Sequence, residues 1–166
     1  MNRLVLMLAL FAMTGCFPAR GVVSSDAPSL DLTEATSVVE AADEVKSAAF
    51  AEGRVDGLAG GFKGRALTAL TKQAGRFQKN NLHLQERGRR ATVIFWDGRA
   101  KESVLEVTAE HRLVTRNQPN PPWAPTVRQW WTRLDYASGK WWVVDQEDLP
   151  PDKWRPAQPA TVTGSG

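Results

Sequence analysis

Two adjacent tryptophan pairs, Trp130-Trp131 and Trp141-Trp142, stand on either side of the segment Tyr136-Ala137-Ser138-Gly139. Five of the chain's seven tryptophans fall between residues 126 and 154, so whatever this region folds into must accommodate a dense run of large rings. The flanking residues alternate as in strands. Val127, Gln129, Trp131, Arg133 and Asp135 share one face, and Arg128, Trp130, Thr132, Leu134 and Tyr136 the other. On the far side of the turn, Trp141, Val143 and Asp145 oppose Trp142, Val144 and Gln146. Successive side chains of a strand point to opposite faces, so each pair sends one ring to each side of a sheet. A flat sheet with one wet face has no need of that. A strongly curved sheet does, because its concave face wraps helices while its outer face is also partly covered. One member of each pair then belongs to the core; the other shields the sheet, meets a partner, or lines a ligand pocket.

The preceding sequence supplies the rest of such a fold. Thr33 is the expected N-cap of a first helix running from Glu34 to about Glu52, with Val38, Ala41, Ala42, Val45, Ala48 and Ala49 at helical spacing. The glycine-rich stretch 53–64 reads as a turn region with room for a short helical piece. A second helix follows from Phe62 or Arg65 to about Asn80, with Leu67, Leu70, Ala74 and Phe77 on one stripe. The period then changes to that of strands: 89–99, closed by the turn signal Asp97-Gly98, then 103–115, 126–135 and 140–146. Residues 117–125, rich in proline, read as a loop, because proline lacks the donor a ladder requires. Two helices followed by a meander of about four antiparallel strands make an α+β domain, with N-terminal helices packed on a curved sheet.

The ends have a different character. Arg3, the apolar run Leu4 to Met13 and Thr14-Gly15-Cys16 have the layout of an export signal, and the run is too short for a comfortable membrane span. Residues 17–32 mix Pro, Gly, Ser and Asp as a linker does, and the tail is similar. The expected organisation is a signal segment over 1–15, an N-terminal Cys16 and linker over 16–32, one domain over 33–156, and a flexible tail over 157–166. Cys16 is the chain's one cysteine, so no disulfide forms within it and stability rests on packing. His83 and His111, the two histidines, lie 28 residues apart with no thiol beside them, a spacing that writes no metal site; no cofactor is expected.

Met13-Thr14-Gly15-Cys16 resembles the lipobox of bacterial lipoproteins. That resemblance implies cleavage before Cys16, its lipidation, and a domain held outside the cytoplasm on a bacterial membrane, with inner or outer membrane left open. Trp131-Thr132-Arg133-Leu134, Gly139-Lys140-Trp141 and Trp142-Val143-Val144, together with the 62–70 stretch FKGRALTAL, resemble the NTF2-like (cystatin-like α+β roll) superfamily, closest to its non-catalytic extracytoplasmic members. Enzymes of that superfamily place an Asp-His or Tyr-Asp pair inside the cone of sheet and helices, where burial tunes a base for proton abstraction. Here His111, Asp135 and Tyr136 would line such a pocket, with Asp145 and Glu106 as further carboxylates, but no catalytic residue is assigned.

Charge is distributed unevenly. Residues 21–59 carry eight acids and two bases, whereas 60–96 carry eight bases and one acid. The basic group, Lys63, Arg65, Lys72, Arg76, Lys79, Arg87, Arg89 and Arg90, suits an anionic surface or acidic partner if it is not taken up by the acidic first helix; nucleic acid is not expected outside the cytoplasm. Asn120-Pro121-Pro122-Trp123 and the Pro150-Pro151 element with Trp154 are rigid and aromatic, suited to docking or to folding back as lids. The expectation is therefore a non-enzymatic, membrane-tethered accessory or assembly domain of a cell-envelope complex or homo-oligomer. Trp123, Trp131, Trp142 and Trp154 would meet the partner. The alternative is a small-molecule binder, or an isomerase- or dehydratase-like enzyme, using the cone.

Overall fold

A computed structural model describes residues 27–115 and 120–150. Helix α1 spans Leu32–Glu52 and helix α2 Gly64–Lys79, with a single 3-10 turn at Asp56–Gly60 between them. Strands β1 (Leu82–Asp97), β2 (Glu102–Thr115), β3 (Ala124–Ala137) and β4 (Lys140–Leu149) form one antiparallel sheet in the order β1-β2-β3-β4. The helices pack on one face of this open sheet, which is the α+β architecture the sequence implied.

Asp31, not Thr33, caps α1: its carboxylate accepts a hydrogen bond from Glu34 N at 2.8 Å. Leu30 is buried and Ala27 packs against the core, so the packed domain begins before residue 33 and takes in part of the expected linker. Gly53 ends α1 in the left-handed region, φ 66°. Ala35, Val39, Ala42, Ala49 and Phe50 form the buried stripe of α1; Ala66, Leu70 and Ala74 form that of α2. Small residues on these stripes let the backbones approach. At Gly61 a Cβ would lie 2.9 Å from Ala42 Cα, so only glycine lets this connection cross α1 so closely.

The connection before α2 also covers part of the edge strand β4. Lys63 N donates to Val143 O at 3.0 Å and Val143 N donates to Gly61 O at 3.3 Å, with Phe62 wedged between and 1% exposed. From the sheet, Leu105, Val107, Trp130, Leu134, Trp141 and Val143 complete the core. Phe50 and Phe77 meet edge to face with centroids 4.9 Å apart, joining α1 to α2.

The turn geometries explain the hairpins. Ser138 and Gly139 both have positive φ, the arrangement that matches a two-residue loop to the twist of its strands. Asp97 Oδ1 accepts from Arg99 N and Ala100 N, fixing the β1–β2 turn.

The strands are longer than their apolar patterns. β1 starts at Leu82 rather than Arg89: the polar stretch 82–87 is held by pairing with 110–115 of β2, and a register shift at Gly88 (φ 61°) joins the two halves. β3 includes Pro125, which pairs only with β2, because β4 reaches no further along β3 than Gln129. Its missing N–H therefore costs no ladder bond on that open side. β4 continues past Gln146 to Leu149, stopping before Pro150-Pro151.

Candidate functional site

Where β3 outruns β4, the sheet and the two helices part and leave a groove of about 620 Å³. One face of α1 supplies Asp43, Lys46, Ser47 and Phe50, at steps of three, one and three; α2 supplies Ala66, Ala69, Leu70, Gln73 and Phe77 in the same manner. Leu84, Val107, Leu113 and Trp130 add apolar surface from the sheet, and Leu149 from the end of β4. The floor is thus largely apolar, with charge concentrated where α1 meets the sheet.

That charge forms a connected network. Lys46 Nζ lies 2.9 Å from Asp43 Oδ1 and 3.3 Å from the centroid of the Trp130 ring. Arg89 also pairs with Asp43, and reaches Glu86 at 3.5 Å. Glu86 further accepts from Ser47 Oγ at 2.9 Å and from Arg128 Nη2 at 3.3 Å. Asp43 is 2% and Lys46 8% exposed. Burial lowers the Lys46 ammonium from 10.5 to about 7; Asp148 and Glu86 oppose that fall and Arg128 reinforces it. Burial likewise lowers Arg89, again with help from Arg128.

Beside the network sit polar atoms the protein does not satisfy. His111 Nδ1 and Gln146 Oε1 are enclosed yet make no hydrogen bond within the described residues, and both residues line the groove. A buried polar atom without a partner is costly, so an incoming group that can hydrogen-bond gains more here than on an ordinary surface.

Of the residues singled out in the sequence, His111 faces this groove. Asp135 and Tyr136 do not join it: the Tyr136 ring packs edge-on against Trp141 (5.4 Å, 61°) at a separate, smaller depression between α1 and the β3–β4 turn, and Asp135 accepts from Tyr136 N. Glu86, the cross-strand neighbour of His111, is engaged by Ser47 and two arginines. Glu106 accepts from Gln129 Nε2, and Asp145 pairs with Arg65 at 3.2 Å. His111 therefore shares the groove with Lys46 and Gln146, while Asp135 and Tyr136 lie elsewhere on the sheet.

The tryptophans divide as the alternation requires, Trp130 and Trp141 in the core and Trp131 and Trp142 half-buried on the other side. The outer rings are already engaged. Trp131 Nε1 donates to Glu102 at 3.2 Å; Trp142 Nε1 donates to Ala137 O at 2.8 Å and its ring carries Lys63 and Lys140 at 4.2 and 3.7 Å. Trp123 lies folded back between the guanidinium groups of Arg87 and Arg112, at 4.6 and 4.4 Å. Cys16 and Trp154 lie outside the described residues. Lys46, Asp43 and Glu86 were missed by sequence reasoning, although an i, i+3 charged pair set into the apolar stripe of α1 is a readable sign of buried charge.

No protein-family model matches the chain. No curated protein matches it either. Among solved structures, it is similar to the intermembrane space region of the chloroplast protein ARC6, with a TM-score of 0.57 and 19% identity over 74% of this chain and 98% of that one. At that identity the likeness speaks to the fold alone. Among the described residues no group of His, Cys, Asp and Glu could hold a metal ion, and no helix is long and apolar enough to cross a membrane.

Proposed function

We propose that this is a non-catalytic interaction domain, NTF2-like in family, exported and held outside the cytoplasm by lipidated Cys16, where it serves as an accessory or assembly subunit of a cell-envelope complex. The observation that carries the reading is the groove: an apolar floor rimmed by charged and polar groups suits a segment of a partner protein, whose side chains fill the floor while its backbone meets His111 and Gln146. The same site is poorly arranged for proton transfer. His111 Nδ1 makes no hydrogen bond through which a carboxylate could orient the ring, and Glu86 is neutralised by arginines. The extracytoplasmic placement rests on the signal-like N-terminal segment and Cys16. Trp123, Trp131, Trp142 and Trp154 remain candidate contacts at the edges of a large interface. In their present stacks Trp123 and Trp142 serve as rigid, pre-ordered rings.

Ala69 is exposed on the groove wall and packs no core, so Ala69→Trp fills the groove without emptying anything. Blocking a central pocket of an interface costs about 2 kcal/mol or more. The tagged Ala69→Trp protein should therefore retain its envelope partners at least about thirtyfold more weakly than the wild type, read by affinity pull-down from mild detergent. Unchanged retention with an intact fold would move the interface away from the groove. A second reading, a small-molecule binder or enzyme, is favoured by His111 among the residues that line the groove. It predicts that the wild type is recovered alone and is stabilised by a small ligand that Ala69→Trp excludes.

A further inference from the structure

The structure splits the basic region of residues 63–90 into cations that are engaged and cations that are not. Arg65 pairs with Asp145 and Glu147, Arg87 with Glu110, and Arg89 with Asp43 and Glu86. Lys63 is stacked on Trp142. On α2, by contrast, Lys72, Arg76 and Lys79 are exposed, and none has an ion-pair partner among the described residues. Their i, i+4, i+7 spacing puts them on one line, nearly opposite the buried stripe Ala66, Leu70 and Ala74. The helix carries four cations and no carboxylate over its sixteen residues. Cations near a helix C-terminus complement the macrodipole, which accounts for Arg76 and Lys79 but not for Lys72. Nothing within the described fold neutralises this strip.

We propose that the Lys72, Arg76, Lys79 face of α2 docks on an anionic lipid surface, laying the domain down with its helices toward the bilayer. The charges complement a phosphate-bearing plane, and Thr68, Thr71 and Gln78 between and beside them are exposed polar residues that can lie among headgroups. The strip has no aromatic side chain of its own on which a nucleic-acid base could stack. Because α2 is also one wall of the groove, this orientation would set the direction from which a partner approaches. The inference rests on the reading of the domain as membrane-tethered, which brings the strip within reach of headgroups.

Each cation close to an anionic membrane contributes about a fivefold gain in partitioning, so loss of three should weaken binding about a hundredfold. The test uses the chain from residue 16, which contains every described residue, with Cys16→Ser so that no acyl group contributes. Co-sedimentation is measured with vesicles of phosphatidylglycerol and phosphatidylcholine in equal parts. Wild-type binding that falls with salt, drops about a hundredfold in K72Q/R76Q/K79Q, and persists in R54Q/R90Q/R99Q, which has the same net charge, establishes the strip. Equal losses in both variants, or no dependence on phosphatidylglycerol, overturn it. Displacement from the vesicles by a DNA duplex at equal phosphate concentration also overturns the membrane assignment. The unacylated chain makes these outcomes independent of lipidation, which the mass of residue 16 in the native protein tests separately.

Discussion

Phe62→Ala should destabilise the domain by about 3–5 kcal/mol. Phe62 is the largest of the side chains that are almost wholly enclosed, at 1% exposure. It also sits where the chain crosses from the 3-10 turn to α2, between the two backbone hydrogen bonds that tie Gly61 and Lys63 to Val143. Neighbouring packing cannot collapse into the space, because Gly61 is already at closest approach to Ala42. Removing the ring therefore leaves a cavity and loosens the clasp on the edge strand together. Urea unfolding of Phe62→Ala and Phe62→Leu measures this: the leucine variant should recover more than half of the loss. A cost below about 1 kcal/mol for alanine would mean that the clasp contributes little.

Asp43→Ala should cost about 3 kcal/mol, whereas Lys46→Met should change stability by no more than about 1 kcal/mol. The asymmetry follows from connectivity. Asp43 answers both Lys46 and Arg89, so its loss strands the buried Lys46 and leaves Arg89 with Glu86 alone; loss of Lys46 leaves Asp43 still paired with Arg89, and a methionine fills similar space beside Trp130. The cost stays near the lower end because Lys46 can shed its proton. With its pKa lowered from 10.5 to about 7, folded Lys46 binds fewer protons than the unfolded chain between those values, so wild-type stability rises with pH across that window. The burial penalty is fully present below about pH 7 and gone above about 10.5. Lys46→Met lacks this contribution, so its stability relative to wild type should fall as pH rises from 7 to 10. A difference independent of pH would show that Lys46 keeps its ordinary pKa in the fold.

The architecture was legible because three periodicities agree. The alanine-rich stripe of 35–50, the 66–77 stripe and the paired tryptophans about Tyr136–Gly139 each demand a face to bury, and two helices on one sheet satisfy all of them. What escaped was structure imposed by pairing rather than by local pattern. Residues 82–87 alternate only briefly, Leu82-His83-Leu84-Gln85, before the charged Glu86 and Arg87, and are held as strand by 110–115 beside them. The site was half legible for the same reason. Alternation turned His111 inward, but whether Asp135 and Tyr136 could reach it depended on where along the sheet each lies, and they belong to its opposite end. The outer tryptophans looked available in sequence; apart from Lys140, two residues before Trp142, the cations that cover Trp123 and Trp142 come from Lys63, Arg87 and Arg112, residues distant enough in the chain that no local reading pairs them.

The central claim is that a partner protein occupies the groove between the helices and the sheet. A photo-reactive phenylalanine derivative placed at Gln73, exposed on the groove wall, tests it in the native envelope; the same group at Trp131 samples the outer face of the sheet. Mass spectrometry of the covalent products should show one envelope protein captured from position 73 and little or none from position 131. Capture of that protein from 131 alone, or of no protein from either position with the fold intact, would contradict the account. In the first case the outer tryptophans form the interface; in the second the groove serves a small molecule.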